Sequence, residues 1–199
     1  MAEVVLLRHG ETEWSKSGQH TGRTNIPLTR NGRKRAAEVA PLLKHRKFGL
    51  VLTSPLERAA DTAELAGLTA DGTDDNLMEW DYGAYEGRTT PDIRVELKDP
   101  TWTIWDHPIP PGDTPGETTD QVADRCRKVI ERCLPLLDQG RDCCLVAHGH
   151  VLRILTATWL SLPSTSGRLF ALDPGALSTL GFERTQHVLT GWNITPDGQ

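Results

Sequence analysis

The stretch VVLLRHGETEWS, residues 4–15, joins a short apolar run to charged and polar residues. Its β-branched and leucine-rich start predicts a buried strand over residues 4–7. Arg8, His9 and Glu11 then follow at the carboxyl end of that strand. Because ligands bind beyond the carboxyl ends of the strands in open α/β sheets, the stretch predicts an α/β fold with a site at this point.

Two later stretches repeat this arrangement. CCLVA at residues 143–147 predicts a second buried strand, and HGH at residues 148–150 follows it. Residues 50–53 predict a further strand, and the helix after it is expected to have Ser54 as its N-cap and Pro55 at its first position. The chain thus brings a second histidine to the end of a predicted strand.

Helical signals lie between the predicted strands. Residues 28–43 carry apolar residues at helical spacing, with Thr29 as the predicted N-cap. Thr118 begins a capping-box pattern ahead of a long apolar helix face. Two β-like runs, residues 176–183 and 187–194, close the chain. The alternation of strands and helices predicts a sheet covered on both faces, with antiparallel pairing near the C-terminus.

The length of 199 residues fits a single domain with one core, which we expect to cover residues 1–199. Within it, residues 82–117 are rich in Pro, Gly and Trp and carry only a short helical pattern near residues 90–98. Because this stretch does not resemble a layer of the core, we interpret it as a lid-like insertion and call it the lid segment.

Composition argues against several function classes. The formal net charge is −5 and the Lys and Arg residues are scattered, so no nucleic-acid partner is expected. No window reaches the roughly 18 apolar residues of a membrane span, and the N-terminus does not resemble a signal peptide. We therefore expect a cytoplasmic protein with no membrane partner. The sequence leaves both a monomer and a homodimer open.

The four cysteines show neither a paired metal-binding spacing nor the framework of a secreted domain, and we interpret them as reduced core residues. Cys126 and Cys133 lie seven positions apart on one predicted helix face, which is ordinary core spacing. Metal binding by this pair is the minority interpretation. Cys143 and Cys144 belong to a predicted strand.

Five side chains form a chemically sufficient set for a phosphate monoester. Arg8 and Arg58 offer forked donors that match phosphate oxygens. A histidine that attacks phosphorus must be neutral, whereas one that stabilises the transferring oxygens works best protonated, so His9 and His148 need not share a role. The leaving alkoxide needs a proton, and Glu79, between an apolar pair and a tryptophan, would supply it.

These residues carry a family resemblance. LLRHGETEWS, TSPLERAADTA, MEWDYGAYEG and VAHGHVLR, in this order, resemble the motifs of the histidine phosphatase superfamily, also called the phosphoglycerate mutase-like family. The resemblance extends through SGQHTGRTNIPLTRNG and PGETTDQV, so it covers nearly the whole chain. It implies a three-layer α/β/α sandwich with a mixed, mostly parallel sheet, and an enzyme that needs no metal and no other cofactor.

The same resemblance implies catalytic roles. His9 matches the nucleophile that becomes a phosphohistidine. Arg8, Arg58 and His148 match the rest of the phosphate pocket. Glu79 matches the proton donor, which later acts as the base that activates water.

The expected substrate is a small phosphorylated metabolite. The motifs look most like those of members that act on sugar phosphates or bisphosphates, including sedoheptulose bisphosphatase-like enzymes, and of bacterial acid phosphatases. Ser15 takes a position where many members carry asparagine as a phosphate donor, and its hydroxyl would replace that donor. We also expect the lid segment, through Trp105, to set specificity. The candidate substrate-binding residues are Ser15, Gln19, His20, Thr21, Gly22, Tyr82, Gly149 and Trp105, with Arg23, Trp102 and His107 nearby.

A phosphatase is the favoured interpretation over three alternatives. In a cofactor-dependent phosphoglycerate mutase a second alcohol takes the phosphoryl group, but such mutases usually carry an adjacent arginine pair in the lid. This lid segment has only Arg88, Arg94 and Lys98 as cations. A metal-dependent hydrolase would use His148 and His150, which share a face only if the strand continues through them. A degenerate binding module is disfavoured because all five chemical groups are present.

Overall fold

A computed structural model describes residues 2–196, so Met1 and residues 197–199 of the predicted domain lie outside the described residues. The described chain contains one six-stranded sheet with the order β3-β2-β4-β1-β5-β6. Pairing is parallel among the first four strands, and antiparallel from β1 to β5 and from β5 to β6. This confirms the predicted mixed sheet. The strands are β1 (Val4–Arg8), β2 (Phe48–Thr53), β3 (Gly72–Thr73), β4 (Asp142–Ala147), β5 (Leu177–Glu183) and β6 (Gln186–Ile194).

Helices connect these strands, and their N-caps largely follow the predictions. Thr29 caps α2, and Thr118 caps α6 in a reciprocal capping box with Gln121. The single helix predicted over residues 28–43 is two helices, because Pro41 lacks the N–H that would continue the first one. Among residues 2–196 the α-helices are α1 (Glu13–Ser17), α2 (Arg30–Glu38), α3 (Ala40–Leu43), α4 (Glu57–Leu65), α5 (Thr90–Leu97), α6 (Thr119–Leu137) and α7 (Gly149–Trp159).

The helix after β2 begins later than predicted. Helix α4 starts at Glu57 with Leu56 as its N-cap, so Ser54 is not the cap and Pro55 is not the first helical residue. Ser54 instead extends the pairing of β2, because its backbone N–H donates to the carbonyl of Val146 at 2.9 Å. This extra hydrogen bond keeps the backbone extended and delays the helix.

Alternate residues of β1 pack on opposite faces of the sheet. Val4 and Leu6 belong to a buried cluster with residues of α6 and α7, while Val5 and Leu7 belong to a second cluster with residues of α3 and α4. Helices therefore cover both faces, which confirms the three-layer α/β/α sandwich. Within residues 2–196, no helix combines the length and the apolar character that a membrane crossing requires.

All four cysteines are free and buried, as predicted. Cys126 and Cys133 contribute to the cluster between α6 and the sheet. Burial raises the pKa of the Cys126 and Cys144 thiols to about 12, so both stay protonated and unreactive at neutral pH.

The lid segment packs into the same core as the sheet. It contains α5 and several turns, and its side chains Ile93, Trp102 and Ile104 are buried in the cluster that also holds α6 and α7. These contacts anchor a segment that the sequence interpretation separated from the core. Its function as a lid stays a prediction.

The central parallel strands end at the same level. Thr53 of β2 lies opposite Val146 of β4. The backbone N–H of His9, just after β1, donates to the carbonyl of Ala147 at 2.9 Å. The residues that follow β1, β2 and β4 therefore meet at one edge of the sheet.

Two glycines let the loop after β1 lie against the start of α2. A Cβ on Gly10 would stand 2.5 Å from the carbonyl oxygen of Gly32, and a Cβ on Gly32 would stand 2.1 Å from the carbonyl oxygen of Glu11. Both distances are well below van der Waals contact, which begins near about 3.5 Å. The absence of a Cβ at both positions thus allows the loop that carries His9 to pack against α2.

The capping box of α6 yields a stability prediction. Thr118→Ala removes the hydroxyl that accepts the backbone N–H of Gln121 at 3.2 Å. We expect the free energy of unfolding, measured by urea denaturation, to fall by about 1 kcal/mol. The matched control is Thr69→Ala at an exposed loop position, which should change the free energy of unfolding by less than about 0.5 kcal/mol. Equal losses in both variants would contradict the capping role.

Candidate active site

A cavity of about 290 Å³ opens at the carboxyl ends of β1 and β4. Most of the predicted site residues line it: Arg8, His9, Ser15, Gln19, His20, Thr21, Glu79, Tyr82 and Gly149. The remaining predicted residues, Arg58, His148, Gly22 and Trp105, are not part of its wall. The wall is completed by Gly18, Thr90, His150, Arg153 and Leu172.

His9 has the form that a nucleophile needs. Its Nδ1 donates to the carbonyl of Gly10 at 2.7 Å, because a carbonyl oxygen can only accept. Burial, together with the positive charges of Arg58 and Arg8, holds the pKa of His9 well below its usual value of 6.5. The ring is therefore neutral at pH 7, with its unprotonated Nε2 free of any hydrogen-bond partner among residues 2–196.

Arg8 lines the same cavity and carries one buried donor without a partner in the described chain. Its Nη1 donates to the carbonyl of Leu172, but its buried Nε has no hydrogen-bond partner within residues 2–196. A buried donor left without an acceptor costs about 1–3 kcal/mol. Gly149 packs directly against this guanidinium, since a Cβ there would stand 3.2 Å from Arg8 Nε. The arrangement favours an anion beside His9.

Arg58 is fully buried on the first turn of α4 and organises the adjoining loop. Its Nε donates to Nδ1 of His148 at 3.1 Å. Its terminal nitrogens donate to the carbonyls of Thr24 at 2.8 Å, Gly22 at 3.0 Å and Thr21 at 3.2 Å. Burial lowers the pKa of Arg58 from 12.5, but a guanidinium remains charged at neutral pH. Most of the five N–H donors of Arg58 are thus hydrogen-bonded to other groups of the chain.

His148 lies behind His9, with a ring-centroid separation of 5.1 Å. Its Nδ1 must accept from Arg58 Nε, because that atom only donates, so Nε2 carries the proton and donates to Ser54 Oγ at 2.7 Å. Burial, with the charge of Arg58, holds the pKa of His148 well below its usual value. Direct contact between His148 and a phosphoryl group stays a prediction.

Glu79 is held by backbone donors at the N-terminus of α7. Its Oε1 accepts from the N–H groups of Val151 at 2.8 Å and Trp80 at 2.9 Å, and its Oε2 accepts from the N–H of His150 at 2.9 Å. Two of these donors, the N–H groups of His150 and Val151, lie in the first turn of α7 and fix the carboxyl group at that point. The side chain is buried, as expected, but its surroundings are polar rather than only apolar.

One wall of the cavity is aromatic. Tyr82 Oη and His150 Nδ1 share a hydrogen bond of 2.5 Å. The ring of Trp105 packs edge-on against His150, with centroids 4.9 Å apart, and the ring of His20 lies 4.9 Å from that of Tyr82. Burial lowers the pKa of His20 to about 4, so this ring is also neutral at pH 7.

Ser15 lines the cavity, but its hydroxyl is already engaged. Ser15 Oγ accepts from the N–H of Thr12 at 2.9 Å and donates to the carbonyl of Thr12 at 3.0 Å. The first bond belongs to the capping box that starts α1, and the second uses the only proton of the hydroxyl. In this structure Ser15 therefore does not present the free donor that the sequence interpretation expected.

Other candidates lie outside the cavity wall. Arg23 points to Glu117 at 3.5 Å, Trp102 is buried in the core, and His107 pairs with Asp99 at 3.5 Å. None of these three predicted positions lines the cavity, because packing and charged neighbours draw their side chains elsewhere.

Arg153 is a charged cavity residue that sequence reasoning missed. Its guanidinium lies over the ring of Trp105, 4.8 Å from the centroid, and its Nε donates to the carbonyl of Gly167 at 3.0 Å. A usable signal existed, since Arg153 follows His150 by three positions and residues so spaced lie on one helix face.

The alternative metal site at His148 and His150 does not assemble. The ring of His148 bonds Arg58 and Ser54, whereas the ring of His150 bonds Tyr82. Within residues 2–196 there is no group of three or more His, Cys, Asp or Glu side chains that could hold a metal ion.

Comparison with known proteins gives consistent results. The family model described as histidine phosphatase superfamily (branch 1) matches residues 4–195. An acid phosphatase of Mycobacterium tuberculosis is 41% identical over 96% of this chain and 92% of its own length. Sedoheptulose 1,7-bisphosphatase of Saccharomyces cerevisiae is 35% identical over 79% of this chain and 67% of its own length. A probable phosphoglycerate mutase of Proteus mirabilis is 31% identical over 100% of this chain and 93% of its own length.

A solved structure supports the same assignment. The product of an open reading frame of Mycobacterium tuberculosis superposes with a TM-score of 0.90 at 39% identity, covering 98% of both chains. The predicted enzyme class, a phosphoric monoester hydrolase, is confirmed by the family match and the phosphatase-named relatives. The chain belongs to the histidine phosphatase superfamily, branch 1.

Proposed function

We propose that the chain hydrolyses small phosphate monoesters, such as sugar phosphates or bisphosphates, through a phosphohistidine on His9. One observation carries this proposal: the neutral His9 leaves Nε2 free in the cavity where Arg8 Nε lacks a partner. A candidate nucleophile and a cation thus line one cavity. Its volume of about 290 Å³ suits a small metabolite.

The proposed reaction has two steps. In the first, the Nε2 lone pair of His9 bonds to phosphorus, the bond from phosphorus to the substrate oxygen breaks, and Glu79 donates its proton to that oxygen. In the second, water attacks phosphorus, Glu79 takes the water proton, and the bond from phosphorus to His9 breaks. Inorganic phosphate leaves, and both residues return to their starting states.

The contacts of Glu79 are compatible with this proton transfer. A carboxylate has about four lone-pair directions. Three are occupied by backbone N–H groups, two on Oε1 and one on Oε2. Oε2 therefore retains one position for the proton, and Glu79 lines the same cavity as His9.

A phosphoglycerate mutase is the second candidate, favoured by the mutase-named relative. The cations of the lid segment argue against it, since none of them lines the cavity. Arg88 pairs with Glu96, Arg94 Nε donates to the carbonyl of Trp102 at 2.9 Å, and Lys98 is exposed at the end of α5. These cations therefore do not provide the carboxylate site that a mutase would need in the lid segment.

The nucleophile assignment predicts complete loss of chemistry in His9→Ala. We expect phosphate release from sugar phosphates and aryl phosphates, assayed in EDTA, to fall by about 10⁴-fold or more. Labelling of the protein by a 32P substrate, measured by rapid quench into alkali, should vanish. His45→Ala, at an exposed position, is the matched control and should keep both phosphate release and 32P labelling.

Persistent labelling of His9→Ala would remove His9 from the nucleophile role. Wild-type activity that EDTA abolishes would instead support a metal-dependent hydrolase. Transfer of the phosphoryl group to a second alcohol in preference to water would support the mutase.

The acid assignment predicts a leaving-group effect in Glu79→Gln. The amide lacks the transferable proton, so esters of alkyl alcohols should slow by about 10²- to 10⁴-fold. Aryl phosphates should slow by less than about 10-fold, because an aryl oxide departs without full protonation. The measurement is kcat on both substrate types, with Glu64→Gln on the exposed face of α4 as control.

Equal losses on alkyl and aryl esters would contradict the acid role. The stability of Glu79→Gln should be measured by urea denaturation alongside the assay. The amide NH₂ of this variant would face at least one backbone N–H that now donates to a Glu79 oxygen, and two donors repel.

A further inference from the structure

Arg153 is a cation of the cavity wall without an ion-pair partner. No carboxylate lies within 4.0 Å of its guanidinium among residues 2–196. The side chain is partly buried and lines the same cavity as Arg8. Because a charge removed from water is costly unless it is paired, an accessible position beside it favours an anion.

The contacts of Arg153 fix its position and leave donors free. Its Nε donates to the carbonyl of Gly167 at 3.0 Å, and its Nη2 donates to the carbonyl of Arg168 at 3.1 Å. Its plane is further supported by the ring of Trp105. An arginine has five N–H donors, so three remain without a partner in the described chain. A guanidinium held in this way loses little further conformational freedom when it binds a ligand.

The acidic side chain of the cavity does not neutralise Arg153. Among the residues that line the cavity, Glu79 alone carries a carboxyl group. Its oxygens accept hydrogen bonds from the backbone N–H of Trp80 and from two backbone N–H groups at the start of α7, and they contact no guanidinium. The positive charge of Arg153 therefore remains available to a ligand.

The nearby histidines add neutral polar groups. Burial holds the pKa of His150 well below 6.5 and lowers that of His20 to about 4. With Nδ1 of His150 bonded to Tyr82, its Nε2 has no partner within residues 2–196. Neutral rings suit the uncharged part of a substrate, such as its hydroxyl groups, and do not compete with Arg153 for an anion.

We propose that Arg153 binds a second anionic group of the substrate, a carboxylate or a second phosphate, while the scissile phosphoryl group lies at Arg8 and His9. The proposal rests on the proposed phosphatase function and narrows its substrate class. The preferred substrates are small phosphate monoesters that carry two separate anionic groups. Trp105 acts as a positioning residue, since it contacts Arg153 through its ring face.

The test compares substrates that differ only in the second anion. The pairs are 3-phosphoglycerate against glycerol 3-phosphate, and a sugar bisphosphate against the corresponding monophosphate. The wild type should prefer the doubly anionic member of at least one pair in kcat/KM by about 10-fold or more. Arg153→Gln should reduce that preference by about 10- to 100-fold, mainly through KM, as loss of a charge-assisted contact predicts. A preference within the first pair would identify the second anion as a carboxylate, and a preference within the second pair would identify it as a phosphate.

Two controls separate this proposal from other outcomes. Activity on an aryl phosphate, which has no second anion, should fall less in Arg153→Gln than activity on the doubly anionic substrates does. Arg127→Gln on the exposed side of α6 should preserve every preference. Arg153→Lys, which keeps the charge, should retain part of the preference and serves as the second variant if Arg153→Gln does not fold.

Several results would overturn the proposal. The first is that the wild type shows no preference for doubly anionic substrates. The second is that the Arg153 variants lose activity equally on all substrates. If the wild type releases phosphate from none of these substrates, the proposed phosphatase function fails instead.

Discussion

The parallel pairing of β1 with β4 is the constraint on which the site depends. The two strands run in register to their last residues, and the N–H of His9 adds one more bond to the carbonyl of Ala147. Since β2 pairs with the other side of β4, a third strand ends at the same level. A shift of register would turn side chains to the opposite face and separate His9 from His148. Sheet geometry thus fixes the distance between these rings.

Burial then determines the charge state of the groups at this edge. Histidines give up their charge when they are removed from water, whereas arginines keep theirs. The cavity therefore combines neutral rings at His9, His20 and His150 with persistent positive charge at Arg8 and Arg153. Hydrogen bonds to carbonyl groups hold these arginines without neutralising them. Such a site attracts anions while it keeps a histidine nucleophile unprotonated.

Most of the fold was accessible from the sequence because it depends on short-range patterns. Apolar and β-like runs predicted five of the six strands of the described chain but not the short β3, and Thr29 and Thr118 marked two helix starts. The start of α4 was predicted wrongly because Ser54 forms a backbone hydrogen bond with Val146 of a distant strand, which no local pattern contains. The same limit applies to the lid segment, whose Pro and Gly content concealed apolar residues that reach the core.

The candidate site was predictable by residue type but not by side-chain contact. The motifs located Arg8, His9 and Glu79 near one another, and all three line the cavity. They did not reveal that the hydroxyl of Ser15 closes a capping box. Nor did they indicate Arg153, because its three-residue spacing from His150 becomes informative only once His150 is placed in the site.

The paired glycines beside the nucleophile have a consequence for how the motif RHG is interpreted. Arg8 and His9 serve the chemistry, but Gly10 faces the backbone of Gly32, and Gly32 faces that of Glu11. Substitution at either position would push α2 away from the loop, and a second enlargement at the facing position would add to the clash. Gly10 of the motif is therefore required for packing, and so is Gly32, which lies 22 positions later in the chain. A protein engineer could redesign the chemistry of the first two positions, yet would still have to keep both glycines to retain this packing.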